Sequence, residues 1–254
     1  MRYLTAEELK TTHKDEAHDI LDECEGHMTK LRFGINAFIK WGPKIFPNRK
    51  DLSILDLGPA SGGFEKQLTD AGYKNIYGVD IDNYLSKDAK PLLKELKLAD
   101  LAYEKLPWPD NFFDVAIGWC ILPHLENPFL AIREINRVLK PGGLFLFSVP
   151  HVTSKPAMDY FQKKRDFGSY RATNNHIIIF TPALIKKAIL KYFSFLGEEY
   201  PVRPKIFQRD GFKGKLRAFL YQKLAPKFPK LAKMLGDRWA YDIIYAVQKQ
   251  RSNK

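Results

Sequence analysis

Short apolar runs recur along the chain between residues 51 and 150, and an amphipathic segment follows each of them. The runs predict strands at Ser53–Leu57, Asn75–Val79, Val115–Trp119 and Leu144–Val149, with a weaker strand at Leu96–Ala99. The amphipathic segments predict helices at Phe64–Ala71, Ser86–Leu93 and Pro128–Leu139. Short strands that alternate with helices are typical of βαβ units. We therefore expect an α/β fold with a doubly wound, mostly parallel sheet.

The pattern changes on either side of this region. The first 50 residues predict helical structure, and the polar residues 151–175 predict a loop or lid. A helix is predicted at Pro182–Tyr192, a strand near Phe193–Tyr200 and a last strand near Trp239–Val247. The predicted units are a helical N-terminal cover (1–50), a core (51–200), a basic amphipathic insertion (201–238), and the last strand with the tail of the core (239–254).

The composition is that of a globular protein, since 45% of the residues are hydrophobic and 28% are charged. The only two cysteines, Cys24 and Cys120, are far apart in sequence, which argues against a disulfide framework and a Cys-rich zinc site. We therefore expect no bound metal. The N-terminus has no apolar run of the signal-peptide type, and no stretch approaches 18 apolar residues. These features predict a cytoplasmic protein.

The net charge of +12 is concentrated near the C-terminus, because residues 203–238 contain eleven Lys or Arg and only two Asp. A charge of this kind favours an anionic partner such as phospholipid head groups, a phosphorylated substrate or nucleic acid. An apolar stripe in the same stretch predicts a basic amphipathic helix through Leu216, Phe219, Leu220 and Leu224. The stripe faces either an anionic membrane or the sheet, and the sequence leaves both arrangements open.

A turn of small residues carries the first chemical signal. The run Ile54-Leu55-Asp56-Leu57-Gly58-Pro59-Ala60-Ser61-Gly62-Gly63 leads from a strand to the start of a helix. Small residues let the backbone approach a ligand, and the helix N-terminus offers unpaired amides. Read as Gly58-x-Ala60-x-x-Gly63, the run is a degenerate dinucleotide fingerprint.

Read as Asp56-x-Gly58-x-Ala60-x-Gly62, the run resembles the first motif of class I S-adenosylmethionine-dependent methyltransferases. The later motifs of that family follow in its order, at Gly78–Asp82, Leu98–Leu101, Leu106–Val115, Ile121–Pro128 and Val138–Leu144. The resemblance covers residues 50–150 and, more faintly, 176–196. It implies a Rossmann-like sheet of seven strands with an antiparallel last strand, helices on both faces, and S-adenosyl-L-methionine as the cofactor.

The resemblance also implies a role for each matching residue. The turn residues Asp56, Gly58, Ala60 and Gly62 would lie under the methionine and ribose of the cofactor. Asp80, followed by Ile81, would hold the ribose hydroxyls, and Asp100 and the Leu101 amide would bind adenine. Trp119 and Cys120 would lie near the methionine amino group or the transferred methyl group.

Methyl transfer is an in-line displacement, so the protein must position the acceptor and, for a weakly acidic acceptor, supply a base. His151, His176 and His124 follow predicted strands at the rim of the expected cleft, and each is a candidate base or a structural histidine. Motifs of nucleic-acid amino-methylating enzymes and of protein-arginine enzymes are missing from the sequence. We therefore favour a small-molecule acceptor, such as a sugar hydroxyl on a lipid-linked or phosphorylated carrier. The alternatives are an RNA methyltransferase and a non-catalytic, cofactor-binding scaffold.

Overall fold

The computed structural model describes residues 33–170, 176–202, 214, 216, 219 and 227–251. The helical prediction for residues 1–32 lies outside the described residues, as does most of the predicted basic helix, including Leu220 and Leu224. No described helix combines the length and the apolarity needed to cross a bilayer.

Seven strands form one sheet in the order β3-β2-β1-β4-β5-β7-β6. Only β7 runs antiparallel to its neighbours, which confirms the predicted seven-stranded, mostly parallel sheet. The central strands are buried on both faces, and this explains why they are continuous apolar runs in the sequence. Their bounds are β1 Ile54–Leu57, β2 Ile76–Asp80, β3 Glu95–Leu98, β4 Phe113–Trp119, β5 Leu139–Pro150, β6 Phe193–Glu199 and β7 Asp242–Lys249.

Helices cover both faces of the sheet, as predicted. The described helices are α1 (33–45), α2 (Gly63–Asp70), α3 (Pro128–Val138), α4 (Lys155–Lys164), α5 (Pro182–Ile189) and α6 (Pro229–Trp239). One apolar cluster joins α3 and α5 to the sheet through side chains such as Ile135 and Ile189. The other joins α1 and α2 to the opposite face through Phe38 and Phe64. Two cores on one sheet explain how a chain of this length buries its apolar residues.

Two predictions of local structure are wrong. The segment Ser86–Leu93 contains only a 3₁₀ turn at Lys90–Leu92, because Pro91 removes a backbone donor and the segment packs closely against the turn before α2. Residues 151–175 are not all loop, since α4 occupies Lys155–Lys164. The sequence pattern did not predict α4, because none of its residues is buried and the helix therefore needs no continuous apolar face.

The fold places a crevice at the carboxyl ends of β1 and β4. The chain continues from β1 to β2 on one side, whereas β4 and β5 extend the sheet on the other side. Ligands of doubly wound sheets bind where the strand order reverses in this way. The ends of β1, β2, β3 and β4 bring the candidate cofactor residues to this edge.

Candidate functional site

The turn after β1 is shaped by three residues with left-handed backbone angles. Their φ values are 74° at Gly58, 50° at Ala60 and 87° at Gly62. A Cβ atom on Gly58 would lie 2.9 Å from the Cδ1 atom of Ile121, which follows β4. The turn is therefore compact and holds its backbone close to the end of β4, where a ligand can approach it.

Asp80 ends β2 and points into this turn. Its Oδ2 atom accepts a hydrogen bond from the Ala60 amide at 3.3 Å, and its Oδ1 atom accepts one from the Ile81 amide at 2.8 Å. Burial raises the pKa of Asp80, while the two amide hydrogen bonds oppose the rise. Two amides thus orient the carboxylate, and the remaining lone pairs can accept hydroxyl donors of a ligand.

Gly62 has a packing role that the sequence did not indicate. A Cβ atom at this position would lie 2.1 Å from the Cβ atom of Ala89 and 3.2 Å from the Cδ2 atom of Leu85. The segment after β2 thus packs directly on the turn, and the Ser86 amide donates to the Ser61 carbonyl oxygen at 3.2 Å. Glycine at position 62 is required by this close approach as well as by its backbone angle.

Asp100, Leu101 and Ile81 lie at the neighbouring strand ends. Asp100 is half-buried, and its Oδ1 atom accepts a hydrogen bond from the Ala102 amide at 2.9 Å. The Leu101 side chain is buried in the core, whereas Ile81 is 44% exposed at the edge. Beside the crevice, the apolar side chain of Ile81 can therefore contact an aromatic ring of a ligand, and the fixed carboxyl group of Asp100 can accept a hydrogen bond from an amino group on that ring.

A buried pair of carboxyl groups lies beneath the turn. Asp56 on β1 and Glu65 in the first turn of α2 are both buried, and burial together with their mutual repulsion raises the pKa of Asp56. Burial also raises the pKa of Glu65, whose two carboxyl oxygens are enclosed without a hydrogen bond of normal geometry among the described residues. The sequence prediction included Asp56 but missed Glu65, because nothing in its neighbourhood marks it as different from an exposed residue of a helix.

Trp119 closes the crevice from the side of α1. A Cβ atom on Gly34 would lie 2.8 Å from its indole ring, and the ring of Phe64 meets it edge-on at 5.5 Å. The buried indole Nε1 atom has no hydrogen-bond partner among the described residues. A buried donor at the end of β4 can serve an acceptor group of a bound ligand.

Three side chains with metal-binding and proton-accepting atoms meet after β4. The donor atoms of Cys120, His124 and His176 lie within 4.8 Å of one another. The Sγ atom of Cys120 lies 3.4 Å from Nε2 of His176, and the two imidazole rings are 4.4 Å apart. Cys120 is buried and has a φ of 58°, which is an unfavourable angle for a residue with a side chain.

Backbone hydrogen bonds hold this cluster together. The amides of Ile177 and Ile178 donate to the Pro123 carbonyl oxygen at 2.8 and 3.1 Å, which brings His176 beside the Leu122–His124 turn. The Nδ1 atom of His176 donates to the Ser169 carbonyl oxygen at 2.5 Å, so its Nε2 atom faces Cys120. The structure thus joins two of the three candidate histidines.

His151 lies in different surroundings. It is buried, its Nε2 atom donates to the Asp237 carbonyl oxygen at 2.7 Å, and the Thr153 hydroxyl lies 3.4 Å from its Nδ1 atom. Its ring is 5.5 Å from that of Tyr200. These contacts place His151 between β5 and α6, and it is not part of the cluster of Cys120.

Comparisons with known proteins identify the type of domain. Residues 55–147 match a family described as "Methyltransferase domain". The chain is 27% identical over 133 residues to a probable methyltransferase, PMT21, of Arabidopsis thaliana, and 29% identical over 152 residues to the ubiquinone/menaquinone biosynthesis C-methyltransferase UbiE of Shewanella oneidensis. These matches cover 50% and 56% of this chain, but only 22% and 59% of the respective relatives.

Solved structures share the fold. A crystal structure of an S-adenosylmethionine-dependent methyltransferase from Mesorhizobium loti superposes with a TM-score of 0.53 at 18% identity, covering 81% of this chain and 94% of the other. The matched region contains the turn after β1 and the ends of β2, β3 and β4, where the cofactor residues are predicted.

Proposed function

We propose that this chain, a class I S-adenosylmethionine-dependent methyltransferase by its fold and its methyltransferase domain, methylates a small-molecule acceptor. The observation that carries the proposal is the carboxylate of Asp80, which two amides hold against the left-handed turn at the reversal of strand order. A carboxylate in that position can accept both hydroxyl donors of a ribose. The cofactor supplies the electrophilic methyl group, and the protein positions the two reactants.

The residues at the crevice suit the parts of S-adenosylmethionine. Asp100 and Ile81 would border the adenine, Asp80 the ribose, and the turn from Gly58 to Gly62 the chain between ribose and methionine. The buried pair of Asp56 and Glu65 favours a cation nearby, because a positive charge stabilises the ionised form of a buried carboxyl group. S-adenosylmethionine has two positive groups, the sulfonium and the amino group, and the pair would select for them.

The acceptor would enter at the cluster of Cys120, His124 and His176, which follows β4. Two 3₁₀ turns, at Leu122–His124 and Gly168–Tyr170, and the segment 176–178 border this cluster, in which Cys120 is buried and the two histidines are partly buried. This enclosure favours a small acceptor over a paired base of RNA. An imidazole beside the acceptor can take the proton that a hydroxyl group loses on methylation.

The basic stretch at residues 203–238 favours an acceptor that is phosphorylated or carried by an anionic lipid. Of the predicted apolar stripe, Leu216 and Phe219 are described, and they are 50% and 54% exposed. Their exposure supports contact with a membrane surface rather than packing on the sheet. A sugar hydroxyl on a lipid-linked or phosphorylated carrier remains our preferred acceptor.

The proposal is tested by measuring release of S-adenosylhomocysteine from the purified chain with three classes of acceptor. These are lipid-linked phosphorylated glycans in anionic vesicles, soluble sugar phosphates, and bulk RNA. We expect turnover with one of the first two classes. Turnover with RNA alone would support the RNA methyltransferase, and cofactor binding without turnover on any class would support the scaffold.

A further inference from the structure

We propose that Cys120, His124 and His176 together bind one divalent transition-metal ion of the zinc type. The three side chains supply one thiolate and two imidazole ligands, which is a donor set that zinc and cobalt prefer. The donor atoms already lie within 4.8 Å of one another. No metal was expected from the sequence, because its two cysteines are far apart and 56 residues separate Cys120 from His176.

The spacing of the donor atoms is close to the spacing that a tetrahedral zinc site requires. Zinc–sulfur bonds of about 2.3 Å and zinc–nitrogen bonds of about 2.0 Å place neighbouring ligand atoms roughly 3.3–3.6 Å apart. The distance of 3.4 Å between Sγ of Cys120 and Nε2 of His176 is within that range. The imidazole of His124 completes the set with a movement of about 1 Å, the difference between the outer limit of 4.8 Å and the same ligand spacing.

The surrounding structure orients the ligands before any metal arrives. The hydrogen bond from Nδ1 of His176 to the Ser169 carbonyl oxygen fixes the tautomer that presents Nε2 to the metal. The hydrogen bonds from Ile177 and Ile178 to Pro123 hold the two histidine-bearing segments together. Support of this kind is a regular feature of metal sites, where the second nitrogen of a ligating histidine donates to a carbonyl or carboxylate.

Among the described residues, three side chains ligate the metal, and a fourth position would be available for a further ligand, which is the arrangement of catalytic rather than structural zinc. Binding replaces the proton on the Cys120 thiol, which passes to solvent. With metal bound, both imidazoles would be engaged as ligands and neither would serve as the base. An acceptor hydroxyl at the fourth position would be held by its oxygen, and the metal would lower its pKa so that its proton leaves to solvent. This role in methyl transfer rests on the proposed function, whereas the metal site itself does not.

The metal site is tested by titrating the chelator-treated full chain with Co²⁺ and then with Zn²⁺. We expect about one equivalent of Co²⁺ to bind with a thiolate-to-cobalt charge-transfer band, and Zn²⁺ to displace it. Cys120→Ser should abolish the band, and His176→Gln should weaken Co²⁺ binding by about a hundredfold. Circular dichroism and cooperative thermal unfolding verify that each variant is folded.

Two control variants separate this site from others in the chain. Cys24→Ser and His13→Gln remove the other thiol and a further imidazole, both outside the described residues, and should leave the band and the affinity unchanged. A band that disappears with Cys24→Ser, or an affinity that survives both Cys120→Ser and His176→Gln, would overturn the proposal. Because the readout is spectroscopic, it stands whether or not an acceptor is methylated.

Discussion

The carboxylate of Asp80 gives the most direct test of the cofactor site, through the substitution Asp80→Asn. An asparagine at this position keeps one acceptor oxygen, which can serve the Ile81 amide at 2.8 Å. In the wild type the Ala60 amide donates to Asp80 at 3.3 Å. In the variant the side-chain amino group of the asparagine faces that amide instead, and two donors cannot pair. The substitution therefore disturbs the turn and removes the negative charge that would hold the ribose.

The expected loss follows from the hydrogen bonds concerned. A hydrogen bond to a charged group contributes about 1.5–3 kcal/mol, and the loss of one such bond weakens binding about 10- to 150-fold. At a ligand concentration of 100 times the wild-type Kd, binding stabilises the folded wild type by about 2.7 kcal/mol. A variant with about thirtyfold weaker binding gains only about 0.9 kcal/mol under the same conditions.

Titration calorimetry with S-adenosylmethionine and S-adenosylhomocysteine measures the affinities, and thermal unfolding with and without ligand checks them. Asp82→Asn is the matched control, because Asp82 is exposed and its Oδ1 atom accepts only a local hydrogen bond from the Asn83 amide among the bonds described. The reasoning is refuted if Asp80→Asn binds the cofactor as the wild type does, or if Asp82→Asn loses as much affinity.

Three further predictions concern the turn, the buried acids and the basic stretch. Gly62→Ala should lower the free energy of unfolding by about 2–4 kcal/mol, because it combines a left-handed φ of 87° with a Cβ atom 2.1 Å from that of Ala89. Gly72→Ala has a φ of 90°, but its Cβ atom would make only an ordinary contact, at 3.9 Å with the Cδ atom of Lys50. This control should therefore cost only the smaller backbone part in the same denaturant titration. Burial raises the pKa of Glu65, so the folded state favours the protonated carboxyl group. The folded protein therefore loses stability as the pH rises from the usual carboxyl range through the raised pKa of Glu65. Glu65→Gln should therefore stabilise the cofactor-free protein by about 1–3 kcal/mol at neutral pH but not at pH values near 4. It should also weaken binding of S-adenosylmethionine more than that of S-adenosylhomocysteine, which keeps the amino group but lacks the sulfonium charge. Co-sedimentation with anionic liposomes should be strong at low salt and weak at high salt, and a protein that stays in the supernatant at low salt would rule out the membrane contact.

The sequence alone determined the sheet and most of the cofactor edge. Apolar runs with small residues after them predicted the central strands and the turn after β1, since burial on both faces requires such runs. The starts of α3 at Pro128 and α5 at Pro182 were also predicted, and the structure caps them with Asn127 and Thr181, which accept hydrogen bonds from amides three residues later. These features depend on neighbours within a few residues, which is the range over which a sequence pattern carries information.

Tertiary structure alone decided what lies far apart in sequence. The predicted helix at Ser86–Leu93 does not form, because the segment is pressed against Gly62, and α4 forms from residues whose polarity indicated a loop. The pairing of Asp56 with Glu65 depends on how α2 returns over β1, and the contact of Cys120 with His176 depends on a backbone link to Pro123. Such contacts are set by the packing of separate elements against one sheet, and no local pattern of polar and apolar residues records that packing.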